Sequence, residues 1–136
     1  DGAETIDHWN LRLSCPKYLE TDAKLLPTGK IISVKNSKYD FLEMKKIGQV
    51  RLDTPFVMDS SLNNGTVLTS DKSGLSMEVF TNQPGVVVYT PAAFAAICFE
   101  TQNFPDAPNQ PHFPNSILQP GETYHNGSEF RFSFVN

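Results

Sequence analysis

Apolar and polar residues alternate in short runs along this chain, and most runs end at a turn signal. Residues 9–13 read W-N-L-R-L, which puts Trp9, Leu11 and Leu13 on one face of a strand and Asn10 and Arg12 on the other. Residues 30–34 follow a Pro27-Thr28-Gly29 turn, and 56–58, 66–69 and 75–80 read as further strands, with Asn63-Asn64-Gly65 as punctuation. The runs 66–69 and 75–80 flank Asp71-Lys72-Ser73-Gly74. The glycine ending that polar loop accepts a positive φ at little cost, so the pair predicts a β-hairpin. Residues 86–89, 95–101 and 129–135 complete the set. The last alternates sharply, with Phe130, Phe132 and Phe134 on one face and Arg131 and Ser133 on the other. Short strands between turn signals predict an all-β domain. One segment has helical character, residues 39–47 (YDFLEMKKI), and a helix that short is marginal without packing.

Composition narrows the class. A chain of 136 residues, 39% hydrophobic, is one domain or one piece of a larger one. At that length a compact chain buries about 68% of the surface its unfolded form exposes, enough for a real core. The net charge of −4 and a pI near 5.2 give no electrostatic footprint for nucleic acid. The longest largely apolar stretch, residues 85–99, is broken by Thr90 and Pro91, so it reads as two strands and not as a membrane-spanning helix. Cys15 and Cys98 lack zinc-site spacing. Two reduced, half-buried thiols in a cytoplasmic protein are favoured over a single bridge, since unpaired cysteine is usually buried. The chain opens at Asp1 with neither Met nor a signal-like segment, so either something was removed or this is a fragment.

Two carboxylates and one loop stand out. Five prolines in residues 102–120 (QNFPDAPNQPHFPNSILQP) exclude central sheet pairing. Phe104, Phe113, Ile117 and Leu118 make this a packed loop of the kind that carries function. Just before it, alternation places Cys98, Glu100 and Gln102 on one strand face and Ile97, Phe99 and Thr101 on the other. A carboxylate on a dry face needs donors, a solvated cavity or a raised pKa, and an upward-shifted glutamate is a competent general base near neutral pH. The competing reading is a sheet-edge Glu100 that faces water or pairs with a cation. Asp53, before Thr54-Pro55, commonly caps its own backbone in such a setting. His8, His112 and His125 follow no metal-ligand spacing, so no metal is expected. Trp9 reads as core before it reads as a sugar-stacking residue. Asn64-Gly65-Thr66 and Asn126-Gly127-Ser128 match glycosylation acceptors, a pattern frequent by chance.

The block Ile97-Cys98-Phe99-Glu100-Thr101-Gln102-Asn103-Phe104-Pro105-Asp106-Ala107-Pro108-Asn109 closely resembles the signature of the aldose 1-epimerase (galactose mutarotase) family. The similarity continues through Pro111-His112-Phe113-Pro114 and Leu118-Gln119-Pro120-Gly121-Glu122-Thr123-Tyr124. Upstream it takes in Asp7-His8, Tyr18-Leu19-Glu20-Thr21-Asp22, Leu26-Pro27-Thr28-Gly29, Tyr39-Asp40-Phe41, Ile47-Gly48, Thr81-Asn82-Gln83-Pro84-Gly85 and Tyr89-Thr90, so it spans essentially the whole chain.

The resemblance implies an antiparallel β-sandwich, part of a β-supersandwich that interconverts the α and β anomers of free aldohexoses without a cofactor. Glu100 matches the family's general base. Asp53, through Leu52-Asp53-x-x-Phe56-Val57, matches the aspartate that hydrogen-bonds sugar hydroxyls. Family members are about twice this length, and their acid histidine lies in the N-terminal half; none of His8, His112 and His125 matches it. Thr54 stands where a histidine is usual, Val87 where some members carry a sugar-contacting glutamine, and a family loop is missing between Phe94 and Ala95. Residues 1–136 are therefore expected to be a single domain or the C-terminal portion of such an enzyme. The expected partners are an aldose and the N-terminal half of the fold, on the same or another chain; a homodimer is also open, and neither nucleic acid nor membrane is expected. The alternative is a non-catalytic carbohydrate-binding β-domain.

Overall fold

A computed structural model of the chain describes residues 2, 4–62 and 65–134. Among the described residues ten strands form two five-stranded, wholly antiparallel sheets. The first has the order β10-β7-β6-β1-β4, from β10 (Ser128–Phe134), β7 (Leu75–Thr81), β6 (Thr66–Ser70), β1 (Trp9–Arg12) and β4 (Lys45–Lys46). The second has the order β3-β2-β5-β8-β9, from β3 (Pro27–Ser33), β2 (Lys17–Thr21), β5 (Asp53–Val57), β8 (Gly85–Tyr89) and β9 (Cys98–Gln102). The expected all-β sandwich is what forms, and its predicted β6–β7 hairpin closes through Gly74 at φ 69°, whose N–H donates to the Ser70 carbonyl.

The core follows from alternation. Leu11 and Leu13 from the first sheet meet Phe56, Val86 and Val88 from the second, all at most 2% exposed, with Phe41, Ile47 and Leu52 closing the sides. Trp9 packs on this cluster, as its alternation with Leu11 predicts. In β5 and β8 the same alternation turns Asp53 and Tyr89 to the outer face of the sheet, opposite each other in register. The β2–β5 ladder stops at Tyr18↔Phe56, where Pro55 brings no N–H to continue it.

The one segment with helical character follows the all-β expectation. Residues 39–47 form turns and β4, with no helix. Phe41 and Ile47 are buried; the Phe41 carbonyl accepts from Leu13 N–H (2.7 Å), and Ile47 N–H donates to the Trp9 carbonyl (2.9 Å). Partners on β1 thus satisfy backbone groups that an i→i−4 ladder needs. The strand of residues 17–21, short and charged at its ends, is not anticipated by the sequence at all.

The phenylalanine strand forms as predicted but lies uncovered. Phe130, Phe132 and Phe134 are 41%, 65% and 73% exposed, although the register sets Phe130 opposite the buried Val79 and Phe132 opposite Met77. They belong to the core-facing side of the first sheet, at its β10 edge, where β9 of the second sheet reaches Ser128 (Thr101 Oγ1 to Ser128 Oγ, 2.6 Å) but leaves the three rings largely in solvent. A hollow of about 210 Å³ between Trp9, Leu68, Met77, Ile97 and Phe132 marks where that cover ends. Val135, Asn63 and Asn64 lie outside the described residues. No helix of the structure is long and apolar enough to cross a membrane.

Candidate functional site

The outer face of the second sheet divides into a covered end and an open end. The proline-rich segment covers the first: Phe104, Ala107 and Phe113 pack on Leu19 and Val57. A Cβ on Gly85 would lie 3.1 Å from the Phe104 ring and 3.2 Å from the Phe56 carbonyl oxygen, tighter than ordinary contact, so glycine gives that ring room to settle on β8. His112 Nε2–H donates to the Gly29 carbonyl (2.6 Å) and pins the loop to the β2–β3 hairpin, so this histidine is a structural clasp. Ile117 and Leu118, expected to pack the loop, are instead each 54% exposed.

Asp106 shapes the loop from within. It adopts a left-handed conformation (φ 62°), and its carboxylate accepts from Asn109 Nδ2 (2.5 Å) and Gln110 Nε2 (3.1 Å). Those two hydrogen bonds, that from Asn109 foremost, hold the carboxyl below its usual range. A carboxyl whose pKa is depressed by folding contributes stability above its unfolded pKa and loses it as the pH falls through the folded value. Asp106→Asn, which keeps the left-handed preference, is therefore expected to lower the unfolding midpoint at pH 7. Thermal scans should show variant and parent converging once the pH falls below the folded pKa.

The open end carries both candidate carboxylates. Asp53 pairs with Tyr89 and Tyr89 with Cys98, while Glu100 pairs with Val87. Directly paired residues share a face, so Asp53, Tyr89, Cys98, Val87 and Glu100 all project to the same side. Sheet spacings put the Asp53 and Glu100 Cα atoms about 12 Å apart, two strands across and one pleat along. Both side chains are exposed, and among the described residues neither has a hydrogen-bond or ion-pair partner. Asp53 thus does not cap its turn, and Glu100 sits at the sheet edge facing water without a paired cation. No Lys or Arg lies on β5, β8 or β9. Two unpaired acceptors over an uncharged floor suit a neutral ligand rich in hydroxyl donors.

Thr90, which interrupts an apolar run in the sequence, fixes the relation between the strands. It is 5% exposed, its Oγ1 accepts from Leu52 N–H (2.7 Å) and donates to the Leu52 carbonyl (3.2 Å), and its own N–H donates to that carbonyl (2.8 Å). The clamp holds the start of β5, and so Asp53, against the end of β8. Thr90→Val leaves the buried Leu52 N–H without a partner and is expected to cost about 1–3 kcal/mol, measurable as a lower urea midpoint.

Elsewhere the fold offers less. A hollow of about 490 Å³ opens at the β7–β8 corner beside Ser14, Asp59, Thr81 and Gln83, well removed from Asp53. Much of its polar lining is internally engaged: Gln83 Oε1 accepts from Tyr124 and the Asp59 carboxylate from Ser61. Cys15 is unpaired and buried, and burial, with Asp59 nearby, pushes its thiol up to about 12, so it is inert; Cys98 is unpaired and half-buried. Among the described residues no three His, Cys, Asp or Glu side chains converge as a metal site would require.

A sequence profile of the aldose 1-epimerase family matches residues 1–131. Galactose mutarotase of Bos taurus is 31% identical over 97% of this chain and 46% of its own length. Aldose 1-epimerase of Haemophilus influenzae is 31% identical over 96% and 46%. A solved GalM/aldose epimerase homologue from C. elegans superposes with a TM-score of 0.92 at 26% identity, covering all of this chain and 49% of that one. The chain spans about half the length of the curated relatives it matches.

Proposed function

Because the chain belongs to the aldose 1-epimerase family, we propose that it supplies the general base and a hydroxyl-binding carboxylate of an enzyme that interconverts α and β anomers of free aldohexoses. The observation that carries this reading is the pair of unpartnered carboxylates, Asp53 and Glu100, on one open and otherwise uncharged face. Glu100 takes the proton of the C1 hydroxyl while an acid delivers a proton to the ring oxygen. The C1–O5 bond breaks as the C1 carbonyl forms. Rotation about C1–C2 presents the other face of that carbonyl, O5 adds back, and both protons return. Asp53 accepts hydrogen bonds from hydroxyls away from C1 and holds the ring in place.

The acid comes from the N-terminal half of the fold, on the same or another chain, since none of His8, His112 and His125 matches the family's acid. The exposed phenylalanine row of β10 supports such a partner: an apolar face of this kind calls for cover. A cytoplasmic setting agrees with the two unpaired thiols. Polarimetry of freshly dissolved α-D-galactose or α-D-glucose tests the function. With the N-terminal half present, the drift of optical rotation should exceed the buffer rate. Sugar-dependent stabilisation with drift at the buffer rate would instead identify a carbohydrate-binding domain, an outcome in keeping with Val87 at a position where some members carry a sugar-contacting glutamine.

A further inference from the structure

Tyr89 is an aromatic side chain without an internal role. Of the chain's four tyrosines, Tyr18 packs on Tyr39 (centroids 4.9 Å), Tyr39 meets the edge of Phe56 (6.1 Å), and Tyr124 donates to Gln83 Oε1 (2.6 Å). Among the described residues Tyr89 has neither a ring contact nor a hydrogen bond. It is nevertheless on an internal strand of a five-stranded sheet, 37% exposed. Its in-sheet neighbours Val86 and Val88 are fully buried on the opposite face.

Its position explains the exposure. Tyr89 lies directly between Asp53 and Cys98 in one cross-strand row, and Glu100 is its diagonal neighbour, with Cα atoms about 8 Å apart. A pyranose has hydroxyls around its rim and a patch of C–H bonds on its face. Carboxylates engage the rim, whereas the C–H patch gains most from a flat, weakly hydrated ring beneath it. We propose that Tyr89 is the floor of the sugar site, stacking under the pyranose held between Asp53 and Glu100. This rests on the functional reading above and adds to it a substrate-binding residue and a requirement for an apolar sugar face. A stacking contact is made in ground state and transition state alike, so its loss appears in KM and not in kcat.

The test is a saturation series of α-D-galactose mutarotation by polarimetry, with the chain supplied together with the N-terminal half of the fold. Tyr89→Ala and Tyr89→Leu are expected to raise KM about five- to tenfold with kcat within about twofold, while Tyr89→Phe stays near the parent in both. Leucine refills the volume without the π face, so it separates stacking from any loss of fold that alanine brings. An active parent whose Ala and Leu variants keep its KM overturns the floor and leaves the functional reading standing. So does a Phe variant impaired as much as Ala, because the hydroxyl and not the ring would then be what matters. A parent without mutarotase activity overturns the functional reading and takes the floor with it.

Discussion

In the proposed enzyme, with the N-terminal half of the fold present, Glu100→Gln is expected to lower the mutarotation rate about 10²- to 10⁴-fold, the usual contribution of a positioned proton-transfer group. The substitution keeps the shape and one acceptor oxygen but removes the ability to take the C1 proton. The structure makes the experiment clean. Glu100 is exposed, on the edge strand β9, and without partners among the described residues. Its replacement should therefore move stability by no more than about 0.5 kcal/mol. A large loss of rate at an unchanged unfolding midpoint identifies a chemical role. A matching fall in both would make Glu100 a structural residue, and an unchanged rate would exclude it as the base.

Phe56→Ala is the second large effect, and it acts on the frame that carries both carboxylates. Phe56 is 1% exposed, meets the edge of Tyr39, and sits on β5 three residues from Asp53. Truncating a buried phenylalanine costs about 3–5 kcal/mol, partly as lost burial and partly as the cavity left behind. In a chain of this size that corresponds to a fall of roughly 10–18 °C in Tm. Phe132→Ser is the control: at 65% exposure the side chain contributes little to the isolated chain, and a shift within about 0.5 kcal/mol is expected. Calorimetry of the two variants should differ severalfold. Comparable shifts would mean that the β10 face is covered and the sandwich is packed differently from the structure described above.

Much of the architecture was legible because alternation is a strong signal where one face is buried. Leu11 and Leu13 and the β6–β7 hairpin with its terminal Gly74 follow from period and turn chemistry alone, whereas the unbroken Val86-Val87-Val88 run shows which residues face the core only once β8 is paired. The same logic set Glu100 on one face with Cys98 and Gln102, which the register bears out. What it did not give was the depth of burial. Phe130, Phe132 and Phe134 carry the same pattern as a core strand, yet they are exposed, because burial depends on what lies across from a strand and not on the strand itself. For the same reason alternation alone left open whether Glu100 meets a dry face or water, and the structure has it at the sheet edge in water. Residues 39–47, too short for a helix without packing, give their backbone groups to β1 and its neighbour Leu13 instead. Asp53 could not be told from a turn-capping aspartate by local sequence; its lack of an internal partner and its place opposite Tyr89 emerge only from the pairing of β5 with β8.

Titration of ¹⁵N-labelled chain with D-galactose, followed through the backbone amides, tests most directly whether the open end of the second sheet is where sugar binds. Chemical-shift changes should concentrate at Asp53, Val87, Tyr89, Cys98 and Glu100 and vanish in a double Asp53→Asn, Glu100→Gln variant. Changes centred on Ser14, Asp59 and Thr81, at the far corner of the sandwich, would contradict the assignment.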